Sequence, residues 1–303
     1  MRKLLSTSLP LLFLTALAGA ALAGVALAAD GEARLLTIEI TPDVVYGHKS
    51  GMALTYDVIQ PAQANGAGIL YMVSGGWFSR WSPPEKTAEN FEGLLDKGFT
   101  VFAVRHGSAP RFKVPEAVED VKLATRFIRL HAADYGVDSD RLGVFGGSAG
   151  GHLSLMLGTT GDEGDADSKD PALRESSRVA AVVAYFPPVD LRESVGPNDR
   201  FPALDFDPTL AAAISPILHV SPDDVPTLMI HGDKDTLVPL HNSERILKAF
   251  EEVGVGTDLI VLEGAGHGFR GAHAETAREA MANWFETHLG GAQAYSEAQS
   301  TAR

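Results

Sequence analysis

The stretch LGVFGGSAGGHLSLM, residues 142–156, decides the fold of this chain. A short apolar run, Leu142–Phe145, leads into the pattern G-x-S-x-G at residues 146–150, and a helix-like segment follows. A serine on a sharp turn between strand and helix projects its hydroxyl clear of the sheet, and small neighbours let the two elements approach closely. Because strand, turn and helix agree here, we interpret Ser148 as a nucleophile; the alternative is an incidental serine in a glycine-rich turn.

The same turn offers a backbone donor for an oxyanion hole. Ala149 directly follows the serine and would place its N–H at the helix N-terminus, beside the attacked carbonyl. A second donor is expected from the loop after the third strand, which reads Ser74-Gly75-Gly76-Trp77. Paired glycines put no side chain between their N–H groups and the substrate oxygen. We therefore predict that Gly75 or Gly76 is the second donor; a plain tight turn is the alternative.

The base that takes the serine proton is sought among ten histidines, of which His267 is the strongest candidate. It follows the predicted strand Asp258–Leu262, and the glycines around it free the backbone to direct an imidazole inward. A histidine on a surface loop is the alternative. His273 stands at the start of the last predicted helix, and His152 is expected to pack behind the site.

The acid that orients this base is sought in His231–Pro239, just after the predicted strand Thr227–Ile230. Two aspartates compete there. The one nearer the strand is suited to shaping the turn, and the acid should stand farther out on the loop. This favours Asp235 as the acid and Asp233 as a turn residue, with Asp190 as a third choice.

Composition excludes several classes of function. The chain has 303 residues and a net charge of −14, from 25 basic and 39 acidic residues, which argues against nucleic acid and anionic membrane surfaces as partners. The absence of cysteine excludes thiol catalysis, disulfides, thiolate metal sites and a lipidated cysteine. No metal or organic cofactor is implied, and the sequence leaves the oligomeric state open.

The N-terminus has the pattern of a secretory signal peptide. Arg2 and Lys3 precede the apolar run Leu9–Ala29, which ends in small residues typical of a cleavage site. We predict a signal peptide over residues 1–28, export to the periplasm or the exterior, and no stable membrane insertion after cleavage. An uncleaved N-terminal membrane anchor is the alternative, since the run is nearly long enough to span a bilayer.

The remaining residues, 29–303, alternate strands and helices with no internal repeat or linker. This predicts a single α/β domain with a mostly parallel central sheet and helices on both faces. The proline-rich stretch Pro187–Leu218 is expected to be an irregular insert over the site, and residues 290–303 a frayed polar tail. The predicted strands are Leu36–Tyr46, Met52–Ile59, Ile69–Val73, Thr100–Arg105, Leu142–Phe145, Val179–Phe186, Thr227–Ile230 and Asp258–Leu262.

With these motifs the chain resembles the α/β-hydrolase superfamily, and more narrowly its esterase/lipase group, which includes acetyl esterases, carbohydrate esterases and hormone-sensitive-lipase-like enzymes. The chain order Ser148, Asp235, His267 is the order of nucleophile, acid and base in that superfamily. The resemblance extends from about residue 37 to residue 289. It rests on the segments 74–77, 115–120, 146–152, 231–239 and 264–269.

Two positions depart from the pattern of the esterase/lipase group. Val73 and Ser74 stand where a histidine and the first of three glycines are usual, and Arg105-His106 stands in place of a Tyr-Arg pair. Two glycines remain, so the oxyanion hole is expected to survive with altered geometry. We assign His106 no catalytic role.

The resemblance implies a serine carboxylic ester hydrolase that forms an acyl-enzyme with a Ser-His-Asp triad. We expect short-acyl esters as substrates, either small molecules or acetylated or feruloylated carbohydrate. A secreted serine peptidase of prolyl-oligopeptidase-like type is the runner-up, and a non-enzymatic binding protein is a third possibility. Trp77 and Tyr185 are predicted to line the substrate pocket, with a role in the core as the alternative.

Overall fold

The computed structural model describes residues 38–290, and these are organised around one eight-stranded sheet. Its strands are β1 (Ile38–Lys49), β2 (Met52–Pro61), β3 (Gly68–Met72), β4 (Thr100–Val104), β5 (Leu142–Gly147), β6 (Ala181–Tyr185), β7 (Thr227–Gly232) and β8 (Thr257–Leu262). They lie in the order β1-β2-β4-β3-β5-β6-β7-β8. The pairs β1–β2 and β2–β4 are antiparallel and the other neighbours are parallel. Each predicted strand overlaps one of these eight.

Helices cover both faces of this sheet. They are α1 (Pro84–Ala88), α2 (Glu92–Asp96), α3 (Val114–Leu130), α4 (Ala149–Thr160), α5 (Pro171–Arg174), α6 (His241–Val253) and α7 (Ala272–Leu289). Residues of α3, α4 and α6 share one buried apolar cluster, and residues of α1, α2 and α7 share the other. The predicted fold, a mostly parallel sheet between two helical layers, is therefore confirmed.

The parallel strands are nearly continuous apolar runs because both of their faces are buried. Along β3 the side chains alternate: Leu70 and Met72 enter the cluster under α3 and α4, and Ile69 enters the cluster under α7. β5 repeats this arrangement, with Val144 on the first side and Phe145 on the second.

The segment between β3 and β4 is helical in two pieces. The sequence pattern of Pro83–Lys97 is that of one helix, but a 3₁₀ turn at Glu89–Phe91 separates α1 from α2. The ring of Phe91 is buried there against Tyr71 and Phe145, at centroid distances of 5.1 and 5.9 Å. Apolar spacing reveals that a residue faces the core, but it does not reveal a break that lets a large ring reach it.

The loops that carry the predicted chemistry follow the carboxyl ends of β3, β5, β7 and β8, at one edge of the sheet. The connection from β6 to β7 has no α-helix and contains four 3₁₀ turns, in agreement with the irregular insert predicted there. The predicted signal peptide, residues 1–28, and the tail beyond Gly290 lie outside the described residues. No helix within 38–290 has the length and apolarity needed to cross a membrane.

Candidate active site

The turn between β5 and α4 holds Ser148 in a strained conformation. Its φ of 55° and ψ of −117° lie in a region that residues other than glycine rarely adopt, and such strain clusters at functional sites. The turn is possible because its glycines pack backbone on backbone: a Cβ at Gly146 would lie 2.5 Å from the carbonyl carbon of Gly150. The Ser148 N–H donates to the Tyr185 carbonyl at 2.9 Å, which ties the turn to β6.

Ser148, His267 and Asp235 form one continuous hydrogen-bonded chain. His267 Nε2 lies 3.0 Å from Ser148 Oγ, and His267 Nδ1 lies 2.7 Å from Asp235 Oδ2. Since a carboxylate accepts the hydrogen on Nδ1, Nε2 is left as the acceptor for the serine hydroxyl. The other oxygen of the buried Asp235 accepts the N–H groups of Leu237 and Val238, both at 2.9 Å.

The competing acids have other partners. Asp233 Oδ1 accepts the Gly264 N–H at 2.6 Å and thereby ties the loop after β7 to the loop that carries His267. Asp190 accepts hydrogen bonds from Arg192 and Arg245 at 2.8 and 2.9 Å, and these guanidinium groups hold the pKa of Asp190 below its ordinary value. Within residues 38–290, neither carboxylate forms a hydrogen bond or ion pair with a histidine.

His231, to which the sequence analysis assigns no role, lies beside Asp235. It is fully buried, its Nε2–H donates to the Val238 carbonyl at 2.8 Å, and its Nδ1 accepts from the Ser243 hydroxyl at 2.7 Å. Burial lowers the pKa of His231, which favours the neutral ring that this tautomer requires. Its Nε2 is also 3.5 Å from Asp235 Oδ2. His231 thus fixes the loop that carries Asp235.

The loop after β3 forms a tight turn from Gly75 to Phe78. The N–H of each end residue donates to the carbonyl of the other at 3.0 Å, so the Gly75 N–H is already occupied. Across the part of the chain that the structure describes, the Gly76 N–H has no protein acceptor. Ala149 is the first residue of α4, and the N–H of a first helical residue has no partner within the helix. Of the predicted donors, Gly76 and Ala149 are therefore free, and Gly75 is not.

Trp77 belongs both to the core and to the wall of the site. Its side chain is buried, and its indole N–H donates to His152 Nδ1 at 3.4 Å. The Nε2–H of His152 donates to the Ile214 carbonyl at 2.8 Å, and burial lowers the pKa of His152 to about 4. His152 thus lies behind the site as expected, and it joins α4, the turn after β3 and the insert.

A cleft of about 430 Å³ opens at Ser148, Gly76 and Trp77. The insert and the loop after Asp235 supply its apolar walls. Besides Ser148, its polar side chains are two carboxylates, which accept from hydroxyl groups, and two amides and a serine, which can both donate and accept. These are Asp190, Glu193, Ser194, Asn198 and Asn242.

Tyr185 lies in a second pocket, of about 300 Å³, and not in the Ser148 cleft. Along β6 it shares the α7 side of the sheet with Val183, and its hydroxyl donates to the Ala277 carbonyl at 2.9 Å. The next residue, Phe186, places its ring 4.6 Å from that of His267 and joins the two regions. The aromatic residues lining this pocket are Tyr71, Phe91, Phe145, Tyr185, Phe186 and Phe269.

Within residues 38–290, no three histidine, aspartate or glutamate side chains are grouped so that they could hold a metal ion.

Comparison with known proteins places this site in a family. The BD-FAE family model matches residues 56–250. The esterase LipQ of Mycobacterium tuberculosis is 28% identical over 247 residues, which are 76% of this chain and 57% of that protein. The chain spans 46–59% of the length of LipQ and two further mycobacterial relatives, LipM and LipC.

Solved structures agree with this match over most of the chain. A truncated carbohydrate esterase from gut microbiota is 29% identical with a TM-score of 0.69, covering 82% of this chain and 96% of that one. Esterase 2 of Thermogutta terrifontis, solved with butyrate bound, is 27% identical with a TM-score of 0.68, covering 82% and 94%. The resemblance to α/β-hydrolases of the esterase/lipase group is confirmed.

Proposed function

This chain belongs to the BD-FAE family, within the esterase/lipase group of α/β-hydrolases, and we propose that it is a serine carboxylic ester hydrolase working through an acyl-enzyme. The observation that carries the proposal is the unbroken chain of hydrogen bonds from Ser148 through His267 to the buried Asp235. A serine hydroxyl needs such a base to become a nucleophile, and the base needs such an acid to hold its tautomer.

In the acylation step, Ser148 Oγ attacks the ester carbonyl carbon and gives its proton to His267 Nε2. Asp235 stabilises the imidazolium that forms, because its carboxylate already accepts the Nδ1–H. The negative charge on the carbonyl oxygen is received by the N–H groups of Ala149 and Gly76. As the tetrahedral intermediate collapses, the ester C–O bond breaks and the alcohol oxygen takes the proton from His267.

In the deacylation step, the same histidine takes a proton from a water molecule that attacks the acyl-enzyme. The second tetrahedral intermediate uses the same two N–H donors. When it collapses, the bond from the acyl carbon to Ser148 Oγ breaks, Ser148 regains its proton from His267, and the carboxylic acid leaves.

The substrate we propose is a short-acyl ester of a hydroxylated alcohol, such as an acetylated carbohydrate; a feruloylated carbohydrate, whose acyl group is larger, is the alternative. The carboxylates and amides of the Ser148 cleft suit a leaving group rich in hydroxyls. The similarity to a protein described as a carbohydrate esterase, and to an esterase solved with butyrate, supports the same choice.

The test is turnover of p-nitrophenyl esters of increasing acyl length, and of acetylated xylan, by wild type and Ser148→Ala. We expect turnover of acetate and butyrate esters and acetate release from xylan, all abolished by the substitution. Activity that survives in Ser148→Ala would overturn the triad. Turnover of peptides with none of esters would favour the secreted serine peptidase.

Two neighbouring aspartates provide a matched pair for the assignment of the acid. Asp235→Asn should lower kcat by about 10⁴-fold, because an amide next to Nδ1 favours the wrong tautomer. Asp233→Asn keeps an oxygen acceptor for the Gly264 N–H and should stay within about threefold of wild type. Equal losses in the two variants would contradict the assignment of Asp235.

We also propose that the protein is exported through residues 1–28. Arg2, Lys3 and the apolar run that follows them support this proposal. Mass spectrometry of protein recovered from the periplasm or the medium should find an N-terminus near residue 29. Full-length protein that sediments with membranes would instead favour the uncleaved anchor.

A further inference from the structure

The two positions at which the sequence departs from the pattern of its group meet in the structure. β3 and β4 pair in parallel with Met72 opposite Val104, so Ser74 and His106 each lie two residues beyond the last pair. Their side chains touch: His106 Nε2 lies 2.9 Å from Ser74 Oγ. His106 Nδ1 lies 2.9 Å from the Gly107 carbonyl, which accepts its hydrogen. Nε2 is therefore an acceptor, and the Ser74 hydroxyl donates to it.

His106 is itself firmly held. It is 4% exposed, and the N–H of the next residue, Gly107, donates to Asp120 Oδ2 at 2.8 Å. Asp120 is in turn paired with Lys49 at 2.6 Å, which anchors the loop after β4 to α3 and β1. Burial lowers the pKa of His106 and favours the neutral ring, whose Nε2 can accept.

The loop after β4 runs alongside the turn that carries Gly76. The Ala109 N–H donates to the Trp77 carbonyl at 3.1 Å, and the Ser79 N–H donates to Ser108 Oγ at 3.0 Å. Both bonds hold the far side of the turn, which is the part that follows Gly76. On the near side, which precedes Gly76, the strand ladder ends with the Val73 N–H donating to the Val104 carbonyl at 3.0 Å. Ser74 supplies the next tie on this side, two residues before the free N–H of Gly76.

We propose that Ser74 and His106 are positioning residues for the oxyanion hole. Their hydrogen bond fixes the near side of the turn after β3, as Ala109 and Ser108 fix its far side, and so sets where the Gly76 N–H points. Neither side chain touches the reacting atoms. This inference rests on the proposed function, since it is developing charge on an acyl or phosphonyl oxygen that needs this N–H.

The variants separate positioning from simple stability. Ser74→Ala removes the donor, His106→Phe keeps a ring without the acceptor, and the double variant removes both. Ser177→Ala is the control, because Ser177 is a fully buried serine whose Oγ accepts the Asp162 N–H at 3.0 Å. It lies near the far end of the 12-residue α4, about 18 Å along the helix from Ser148.

Two rates are measured in each variant: kcat for p-nitrophenyl acetate, and the rate at which a fluorophosphonate probe labels Ser148. In the labelling, Ser148 Oγ bonds to phosphorus, fluoride leaves, His267 takes the proton, and the phosphonyl oxygen needs the same hole. We expect Ser74→Ala and His106→Phe to slow both rates by about tenfold to a hundredfold. KM should stay within about twofold, since a transition-state interaction is the one weakened.

Three further results support the proposal: the double variant is no slower than the slower single variant, Ser74→Thr recovers most of the rate, and Ser177→Ala changes only stability. Rates within about twofold of wild type in Ser74→Ala, or additive losses in the double variant, would overturn it. If wild-type protein is labelled at Ser148 but hydrolyses no ester, the proposed ester hydrolase activity is refuted. The labelling rates of the variants would still test the positioning role of Ser74 and His106. No labelling at all would refute both.

Discussion

Two tight turns at the ends of neighbouring parallel strands build the site, and they are held by different means. The turn at residues 146–151, called the nucleophile turn for the role proposed for Ser148, follows β5. The turn at residues 74–78, called the oxyanion turn for the role proposed for Gly76, follows β3, the neighbour of β5 in the sheet. Each contains a residue other than glycine at positive φ, 55° at Ser148 and 58° at Trp77. The same kind of strain is therefore stored twice, a short distance apart.

The nucleophile turn is held by backbone pressed against backbone. A Cβ at Gly146 would lie 2.5 Å from Gly150, and a Cβ at Gly150 would lie 2.8 Å from the Met72 carbonyl oxygen. The oxyanion turn is held by hydrogen bonds instead, among them two between side chains, from Ser74 to His106 and from Trp77 to His152. The close backbone packing leaves no room for other residues in the nucleophile turn. The geometry of the oxyanion turn, in contrast, can be changed by substitutions at positions far away in the sequence.

The largest effect that this contrast predicts is for Gly146→Ala, with Gly75→Ala as its counterpart in the other turn. A Cβ at Gly146 meets backbone that cannot move aside, whereas a Cβ at Gly75 meets nothing within 4 Å. We expect Gly146→Ala to lose at least about 4 kcal/mol of unfolding free energy or to accumulate as insoluble protein, and Gly75→Ala to lose under about 1 kcal/mol. Urea unfolding checks both. Similar losses in the two variants would break the contrast between the turns.

The next effect in size is on catalysis, in Gly76→Ala. Gly76 has a φ of +58°, and a Cβ there would lie 2.9 Å from the ring of Phe201 in the insert. We expect a stable protein whose kcat is lower by about 10²-fold, roughly 3 kcal/mol in the barrier, because the displaced N–H no longer faces the substrate oxygen.

Phe201→Ala combined with Gly76→Ala separates the two causes of that loss. The double variant removes the clash and keeps the strain at positive φ, so it should recover part of kcat. No recovery at all would show that backbone strain alone displaces the Gly76 N–H.

The contrast also explains what the sequence could and could not predict. The nucleophile turn is specified by consecutive residues, so the pattern G-x-S-x-G was sufficient to identify its strand, turn and helix. The alternation of apolar segments predicted the sheet and its two helical layers, because each parallel strand is buried on both faces. Local patterns predict local structure well.

The supports of the oxyanion turn were outside the reach of such patterns. Ser74 and His106 are 32 residues apart and become neighbours only through the register of β3 and β4. Tyr185 was predicted to line the substrate pocket as an aromatic residue near the site, but the alternation along β6 places it in the aromatic pocket beside α7. A position at a strand end predicts the edge of the sheet at which a residue lies, and the alternation along the strand decides the face that its side chain takes.

The smallest predicted effect concerns His152, the residue that links the two turns, since its backbone N–H donates to Ser148 and its ring accepts from Trp77. Burial lowers the pKa of His152 from 6.5 to about 4, so between these two pH values the imidazole is protonated in the unfolded chain and neutral in the folded protein. The contribution of His152 to the free energy of unfolding is therefore fully present above pH 6.5 and declines as the pH falls toward 4. Between pH 7 and 5 this contribution amounts to about 2 kcal/mol.

His152→Gln isolates that contribution, because an amide can still donate to the Ile214 carbonyl and accept from Trp77 but does not titrate. His106 and His231 are also buried with lowered pKa values and give wild type and variant the same slope of the same sign. The difference between the two curves of unfolding free energy against pH therefore reports His152 alone, and it should shrink from pH 7 to pH 5. Parallel curves would show that His152 takes up its proton in the folded protein. α4 and the oxyanion turn would then have to stay connected without the hydrogen bond from Trp77, because a charged imidazolium has no acceptor for the indole N–H.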